Sequence, residues 1–579
     1  MSDADSLAYE AYRRASEVVP EQALAWNVYG TGIERVGHAG APELVPVPRP
    51  GHDQLLVRVD AVGLCYSDVK LIRLGGDHPK LYGRDLTVEP TRVGHETSVT
   101  VMAVGAGLQD RFRHGQRLAI QPDIYVDGRS TAYGYTIPGG LIEYHVIGPE
   151  VLAADDGAYV VEVDHRLGYA ETALTEPWAC VEAAYTQRRR LWPRPGGSIA
   201  IVADPADDRP YVFGEALHGA GSIVLVGAGE ALAGRVAAAA PGVPIRAAAD
   251  IAAEAPYDDV IVLRPRSAAN VGLAADAVGF RGTLNLVADD PLNELVEIDV
   301  GRLHYHYVAY LGTTGLDVAA AYGEARNRAE LRPGGVTIVV GAAGPMGQMH
   351  LERALGLPDG PRLVVGVDLD AERLAAARVK LQPVAAARGR ELRIETLGPE
   401  AGALRALADG VTGGRGADDV VITAPSAAAV VNAAAAMAPD GMLVLFAGVP
   451  VGTRARLDLS PVFLHGAQYT GTSGSRIADQ ALVVEKSLAG QLEPRRALAA
   501  IGGIEAAQDA LRALVEGRFP GKIVIFPNLR GLALTPLSDL AATHPDVAAA
   551  LDASGAWTTE AEARLFARHL ARPAVGTAG

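Results

Sequence analysis

At 579 residues, with 49% hydrophobic and 21% charged side chains, the chain has too much apolar content for a disordered polypeptide and too much length for one core, so two or three folded units are expected. Its formal net charge of -16 sets it against phosphate backbones and anionic lipid, which argues against nucleic acid as a partner. The only cysteines, Cys65 and Cys180, are too few for a disulfide framework or a four-cysteine zinc lobe and fit a reducing cytoplasm.

The opening segment MSDADSLAYEAYRRAS carries early acids and no continuous apolar stretch, unlike a secretory signal. No run of about eighteen apolar residues follows, so no membrane partner is expected. From about Gln54 to Ile147 the segments LLVRVDAVGL, VTVMAVGAG, QRLAIQ and LIEYHVIG read as short strands divided by Gly, Pro and Asp, a partly open, barrel-like β unit. Beyond Gly168 a helical stretch, YAETALTEPWACVEAAYTQRR, is stopped at Pro193 and Pro195, and its basic run over 187–190 reads as a solvated helix end. Strands and helices then alternate, as a parallel sheet requires.

An internal repeat organises this second half. DDVIVLRPRSAANVGLAADAVGFRGTLNLVAD from Asp258 aligns with DDVVITAPSAAAVVNAAAAMAPDGMLVLFAG from Asp418. Upstream, PGGSIAIV matches PGGVTIVV, and downstream LGTTGLD matches TGTSGSR. Two tandem doubly wound α/β units follow. In the second, the strand VTIVV enters the Gly-rich turn of Gly341, Gly344 and Gly347, and the next strand ends in Asp368. Such a turn lets backbone amides and a helix N-terminus meet a pyrophosphate, while the acid takes the ribose hydroxyls and favours NAD over NADP. In the first copy Asp204, Asp207 and Asp208 stand where a pyrophosphate needs bare amides, and the next strand ends at Gly227 without an acid. That copy is expected to be degenerate and not to bind dinucleotide. His304 and His306 within it would share one side of a strand, a metal-binding geometry, but lack an evident third ligand and read as structural.

In the β unit, VGLCYSDVK places Cys65, Ser67 and Asp68 on one short segment, and VGHETSV pairs His95 with Glu96. A thiolate, an imidazole and a carboxylate suit a catalytic zinc that keeps a position open. Cys65 and His95 are candidates, with Glu176 of ALTEPWACV as third ligand. Against this, Cys65 could be a buried small hydrophobe and His95–Glu96 an exposed turn; Cys180, one helical turn after Glu176, reads as core packing. Arg73, Lys80 and Arg84 could meet a substrate phosphate or simply face solvent.

Taken together, GLCYSD, GHE, TEPWACV, the Gly-rich turn with Pro345 and the closing PGKIVIF around Lys522 make the chain resemble the zinc-dependent medium-chain dehydrogenases and reductases, nearest the polyol branch that includes sorbose 1-phosphate reductase. The resemblance spans about residues 25 to 528. Together with the internal repeat it gives the expected domains: a GroES-like catalytic domain over 1–190, a degenerate Rossmann-like domain over 191–332 from the first copy, an NAD-binding Rossmann domain over 333–485, a return to the catalytic domain over 486–528, and, outside the resemblance, a helical extension over 529–579. It further implies Cys65, His95, Glu176 and Glu96 as ligands of one catalytic zinc with no structural zinc, and Ser67 as proton relay. Gly341, Gly344, Pro345, Met346, Gly347 and Asp368 would hold the dinucleotide, with Thr423, Gly448, Gly471 and Thr472 lining the nicotinamide. The expected reaction is hydride transfer between NAD(H) and a secondary alcohol or ketone of a polyol, sugar or sugar phosphate, in a cytoplasmic homo-oligomer. Two rivals stand beside it: a zinc-free quinone or enal reductase of the same fold, and a non-catalytic NAD-binding assembly or sensor protein. The segment of about thirty residues between Cys65 and His95, containing GGDHPKLYGRD, and the duplicated α/β unit both depart from the family plan.

Overall fold

The computed structural model describes residues 3–186 and 189–570, which form two compact units: 1–182 with 474–579, and 183–473. The chain thus leaves its first unit, builds the second, and returns.

The first unit is built on the strand Leu55–Leu64, buried along its whole length. Its β-branched and small residues pair antiparallel with Glu96–Val104, with Tyr144–Ile147 and with the returning strand Lys522–Phe526. Leu498–Gly503 and Thr535–Pro536 extend the sheet beyond Lys522–Phe526, and Arg117–Ile120 with Val160–Glu162 extend it beyond Glu96–Val104. The four strands expected from the sequence are all present. Asp3–Arg13 and the C-terminal extension share a core with Phe526: Tyr12, Tyr169, Trp557 and Phe566 are each buried there.

Glu562 fixes that extension. Its carboxylate, 2% exposed, accepts from the amides of Tyr169 at 2.6 Å and Ala170 at 2.9 Å. These are the first amides of the helix Tyr169–Ala173, which lack in-helix partners, so a carboxylate of the C-terminal extension caps a helix of the first unit.

In the second unit each repeat forms a six-stranded sheet. The first runs Ile245–Ala248, Ser222–Val226, Ser198–Val202, Tyr257–Leu263, Val278–Val287, Ala309–Thr313. The second runs Glu391–Thr396, Leu363–Asp368, Val336–Val340, Ala417–Ile422, Met437–Leu445, Gln468–Gly471. All neighbours are parallel, and both orders are the doubly wound 3-2-1-4-5-6. Strands such as VTIVV and SIAIV are buried on both faces, which is why they read as continuous Val/Ile runs rather than as alternation.

The repeats agree in detail. Each has a register shift at the same step, between Tyr257 and Asp259 and between Ala417 and Asp419. Each uses the Asp pair at that step to bind the arginines leading into its first strand: Arg190 with Asp259 and Arg194 with Asp258 in one, Arg328 with Asp419 and Arg332 with Asp418 in the other. One apolar core runs through both sheets.

Two local readings are corrected. The segment LHYHYV is not a strand: Gly301–Tyr305 is helical and His306 follows it. Two residues apart on a helix point to different sides, so the histidines separate. His304 Nδ1 lies 3.3 Å from the Leu445 carbonyl, and His306 Nδ1 accepts from Arg302 at 3.2 Å. Of the basic run, residues 187 and 188 lie outside the described residues, while Arg189 and Arg190 are not a solvated helix end but reach inward to Asn327 and Asp259.

Glu562→Ala would strand the Tyr169 and Ala170 amides, at a cost of about 2–4 kcal/mol for two buried donors. Urea denaturation followed by tryptophan fluorescence should show that loss; a change below about 0.5 kcal/mol, the scale of a neutral surface substitution, would mean the extension is not docked through this carboxylate.

Candidate active site

In the first unit, strand register brings the candidate ligands together. Gly63 lies opposite Glu96 in the antiparallel pair. Cys65, just past the end of one strand, therefore falls beside His95, just before the start of the other. Among the described residues, Cys65, His95 and Glu96 are the group whose metal-binding atoms all lie within 4.8 Å of one another.

Each donor is held from behind. Asp68, on the helix Tyr66–Leu74 that begins after Cys65, is 1% exposed. Its carboxylate accepts from the Cys65 amide at 2.9 Å and the Gly94 amide at 3.1 Å, and lies 3.1 Å from His95 Nδ1. One acid thus pins both chain segments and leaves the other ring nitrogen of His95 for a ligand. Burial opposes charge on this imidazole, but Asp68 and the Cys65 sulfur outweigh it and raise the His95 pKa. Burial likewise opposes the charge on Asp68, and His95 with the two amides brings its pKa below the usual value.

Glu96 is fully buried, and Lys522 forms an ion pair with its Oε1. Burial disfavours the ammonium, yet Glu96 and Cys65 hold the Lys522 pKa above its ordinary value. The other carboxylate oxygen, Glu96 Oε2, is buried with no hydrogen-bond partner among the described residues. An unsatisfied buried carboxylate oxygen is costly. A Glu96 carboxylate beside a thiol and an imidazole is what a zinc site of mixed S, N and O donors would use. The donor set fits zinc.

Glu176 stands outside that group. It sits in the first turn of Thr175–Thr186, buried, with its carboxyl pushed up to about 7 by burial first, while His95 lowers it and Glu96 and Asp123 raise it further. Its field partners place it by the site, as an acid poised near neutrality. Cys180, expected as core packing, places its Sγ 3.5 Å from Glu176 Oε1, and burial pushes its thiol pKa up. Ser67 lies with its hydroxyl 3.7 Å from the Cys65 sulfur.

The long segment between Cys65 and His95 adds groups that the sequence reading left undecided. Lys80 donates to Asp123 at 2.9 Å and lies 4.9 Å from the centre of the Tyr135 ring. That ring in turn is 5.9 Å from His95 and 5.1 Å from His78. Burial lowers the His78 pKa to about 4, with Lys70 and Lys80 adding to the effect. Arg73 turns instead to the Tyr66 hydroxyl, and Arg84 to the Thr136 carbonyl and Glu89. Of the three basic residues, Lys80 alone is near the His95 side. Asp123 and Tyr135 were missed because nothing local marks them; only the fold carries them there.

In the second unit, the Gly-rich turn joins Val336–Val340 to the helix Pro345–Gly356, with Gly344 as N-cap and Pro345 in the first turn, the position a proline tolerates best. Gly341 has φ 86°, and a Cβ there would come within 2.6 Å of the Thr423 hydroxyl and 2.9 Å of the Ala424 amide, so no other residue fits without displacing that loop. Met346 and Gly347 follow in the first helical turn, where amides lack in-helix acceptors. Asp368, at the end of Leu363–Asp368, accepts from the Ala343 amide at 2.9 Å and the Leu369 amide at 2.7 Å. Thr423 pins the turn by donating to the carbonyls of Val340 at 2.9 Å and Gly341 at 3.0 Å. Gly471 ends the strand Gln468–Gly471, and the Thr472 hydroxyl beyond it is buried with no partner among the described residues. This unsatisfied donor, with the first-turn amides, fits a dinucleotide.

The first repeat is built otherwise at the equivalent place. After Ser198–Val202 there is no such helix but a loop and the short 3-10 turn Gly214–Leu217. Asp207 there binds Arg209 at 3.0 Å and the Tyr211 hydroxyl at 2.7 Å, and Arg209 also reaches Asp289 at 3.4 Å.

Residues 51–155 match the alcohol dehydrogenase GroES-like domain. L-Sorbose 1-phosphate reductase of Klebsiella pneumoniae is 24% identical over 537 residues, 91% of this chain and 94% of that one. Mannitol-1-phosphate 5-dehydrogenase of Aliivibrio fischeri is 26% identical over 504 residues, 86% of this chain and 85% of that one. Among solved structures, 2R,3R-butanediol dehydrogenase from Bacillus subtilis superposes with a TM-score of 0.51 at 15% identity, covering 87% of this chain and 100% of that one, which speaks for the fold. Among the described residues no helix is long and apolar enough to cross a membrane. The chain carries an alcohol dehydrogenase GroES-like domain within the medium-chain dehydrogenase fold and is a relative of the polyol and sugar-phosphate dehydrogenases and reductases.

Proposed function

We propose that the chain interconverts a secondary alcohol and a ketone on a polyol or sugar phosphate, using one zinc held by Cys65, His95 and Glu96, with Glu176 beside them, and NAD held by the second repeat. The observation that carries this reading is the convergence of a sulfur, an imidazole and a carboxylate within 4.8 Å, the carboxylate belonging to Glu96, which also has one oxygen buried without a partner among the described residues. Zinc, when bound, supplies Lewis-acid polarisation of the substrate oxygen, and the nicotinamide takes or gives the hydride.

The chain's own residues do the rest. Asp68 fixes the His95 ring by its Nδ1, which sets the tautomer and presents the other nitrogen. Lys522 offsets one of the negative charges that gather at Cys65, Glu96 and Glu176, so that the site does not repel an alkoxide. Ser67, next to the Cys65 sulfur, carries the hydroxyl proton away from the substrate in the oxidative direction and returns it in the reductive one. Lys80 and Asp123 form a charged pair that can both donate to and accept from a polyol chain, and Lys80 is the cation available to a phosphate. The first-turn amides of Met346 and Gly347 take the pyrophosphate, and Asp368 exchanges its bond with the Ala343 amide for the ribose hydroxyls.

Cys65→Ala and His95→Ala should each purify with little zinc and lose turnover by about a thousandfold or more, a few kcal/mol of transition-state stabilisation, while NADH titration remains that of wild type. Metal analysis with a polyol and sugar-phosphate turnover screen decides it, since zinc-free wild type with full activity would leave the zinc-free reductase in its place. Asp68→Asn keeps the shape but turns a donor toward donors, so zinc affinity measured by chelator competition should fall about 10- to 100-fold, the scale of outer partners of metal-bound histidines. In Asp368→Ala the preference for NAD over NADP should relax, read as the ratio of the two kcat/KM values; an unchanged ratio removes Asp368 from the ribose role.

A further inference from the structure

The two repeats meet through the same elements of each, as two copies of one chain would in a symmetric dimer. The strand Val296–Asp299 of the first pairs antiparallel with its counterpart Arg454–Leu457 of the second, Glu297 opposite Arg456. The helix Gly301–Tyr305 of the first packs on the edge strand Gln468–Gly471 of the second, and its counterpart Ser460–Leu464 packs on Ala309–Thr313 of the first. The edge-strand glycine of each repeat lies close against the opposite helix. A Cβ on Gly471 would come within 2.6 Å of the Leu303 carbonyl, and a Cβ on the equivalent Gly312 within 2.6 Å of Phe463 Cβ. Equivalent residues facing each other about a local twofold define an isologous interface, here closed inside one chain.

The backbone symmetry is not matched by the chemistry on its two sides. On the first repeat's side, Asp289 accepts from the Gly315 amide at 2.6 Å and from Arg209, which is itself clamped to Asp207, and the Leu292 amide is tied from across, donating to Ser460 Oγ at 3.0 Å. The second repeat's loops at 446–448 and 472–473 are tied from across the interface. The Tyr307 hydroxyl donates to the Ser473 carbonyl at 2.5 Å and lies 3.1 Å from its hydroxyl. The Tyr305 hydroxyl lies 2.9 Å from where a Gly448 Cβ would stand, and His304 meets the Leu445 carbonyl. A loop that must stay open for a ligand cannot be stiffened by filling it. It can be stiffened from behind.

We propose that the first repeat is an in-chain partner whose Tyr305 and Tyr307 position the loops of the second repeat that receive the nicotinamide half of the dinucleotide. This explains why a repeat with a filled turn is kept. It also covers the face of Leu457, Leu459, Val462, Phe463 and Tyr469, all buried, which would otherwise be an apolar patch beside an open sheet edge. The inference rests on the reading that 446–448 and 471–473 line the nicotinamide.

The test is Tyr307→Phe in the full-length protein, titrated with NADH (or NADPH, if wild type prefers it) and separately with ADP-ribose, which lacks the nicotinamide. Loss of one hydrogen bond to a loop should weaken reduced-dinucleotide binding about fivefold and leave ADP-ribose binding unchanged, with Tyr305→Phe shifting the same way. Equal weakening of both ligands would mean general loosening of the fold and overturn the positioning role, as would no change in either. Wild type that binds neither ligand would remove the dinucleotide reading itself, and with it this inference.

Discussion

The register of one antiparallel strand pair sets the chemistry of the first unit. Because Gly63 faces Glu96, the two segments that leave these strands, one bearing Cys65 and the other His95, emerge side by side at the same edge. A slip of one residue would turn Glu96 to the opposite face and separate the three donors. The register is secured where a slip costs most: Leu55–Leu64 is buried at every position, and it is paired on both sides by strands from the beginning and the end of the chain. Asp68 adds a second lock, since its carboxylate joins the Cys65 amide, the Gly94 amide and the His95 ring. The return of the chain after the second unit is part of the same device, because Lys522, the counter-charge of Glu96, comes from the strand that pairs with Leu55–Leu64.

How much of this could be read from the sequence depended on whether the signal was local. The Gly-rich turn, its strand and Asp368 lie within some thirty residues of chain, and strand–turn–helix chemistry marks each of them. The repeat was legible because both copies keep the same Asp pair and the same PGG entry, and the structure shows why: those aspartates bind the arginines that lead into each sheet. Cys65, His95 and Glu96 were legible through their motifs. What holds them was less so, for Asp68 is one more acid on an amphipathic helix until the fold brings Gly94 and His95 to it.

The misreadings have the same origin. LHYHYV alternates like a strand, yet tertiary packing of Leu303 and His304 against the second repeat makes it a helical turn, the usual outcome when local pattern and interface disagree. Cys180 reads as core from its buried apolar neighbours Ala179 and Val181, and only the structure shows that its sulfur also meets Glu176. Asp123 and Tyr135 carry no motif at all; their place beside Lys80 and His95 follows from loops whose course no periodicity encodes.

Duplication gives the chain a division of labour that a single α/β unit cannot have. A nucleotide-binding sheet needs an open crevice at the ends of its strands, and an open crevice is a poorly supported one. Here the same sequence pattern is used twice, once with the crevice kept clear by Gly341 and Thr423, and once with it closed by Asp207, Arg209 and Tyr211. The closed copy carries its own polar side chains in that turn, whereas at the interface both copies keep a close contact at Gly312 and Gly471. The sequence divergence between the repeats is accordingly greatest in the turn after the first strand and least at the Asp pair, where each sheet takes in its chain.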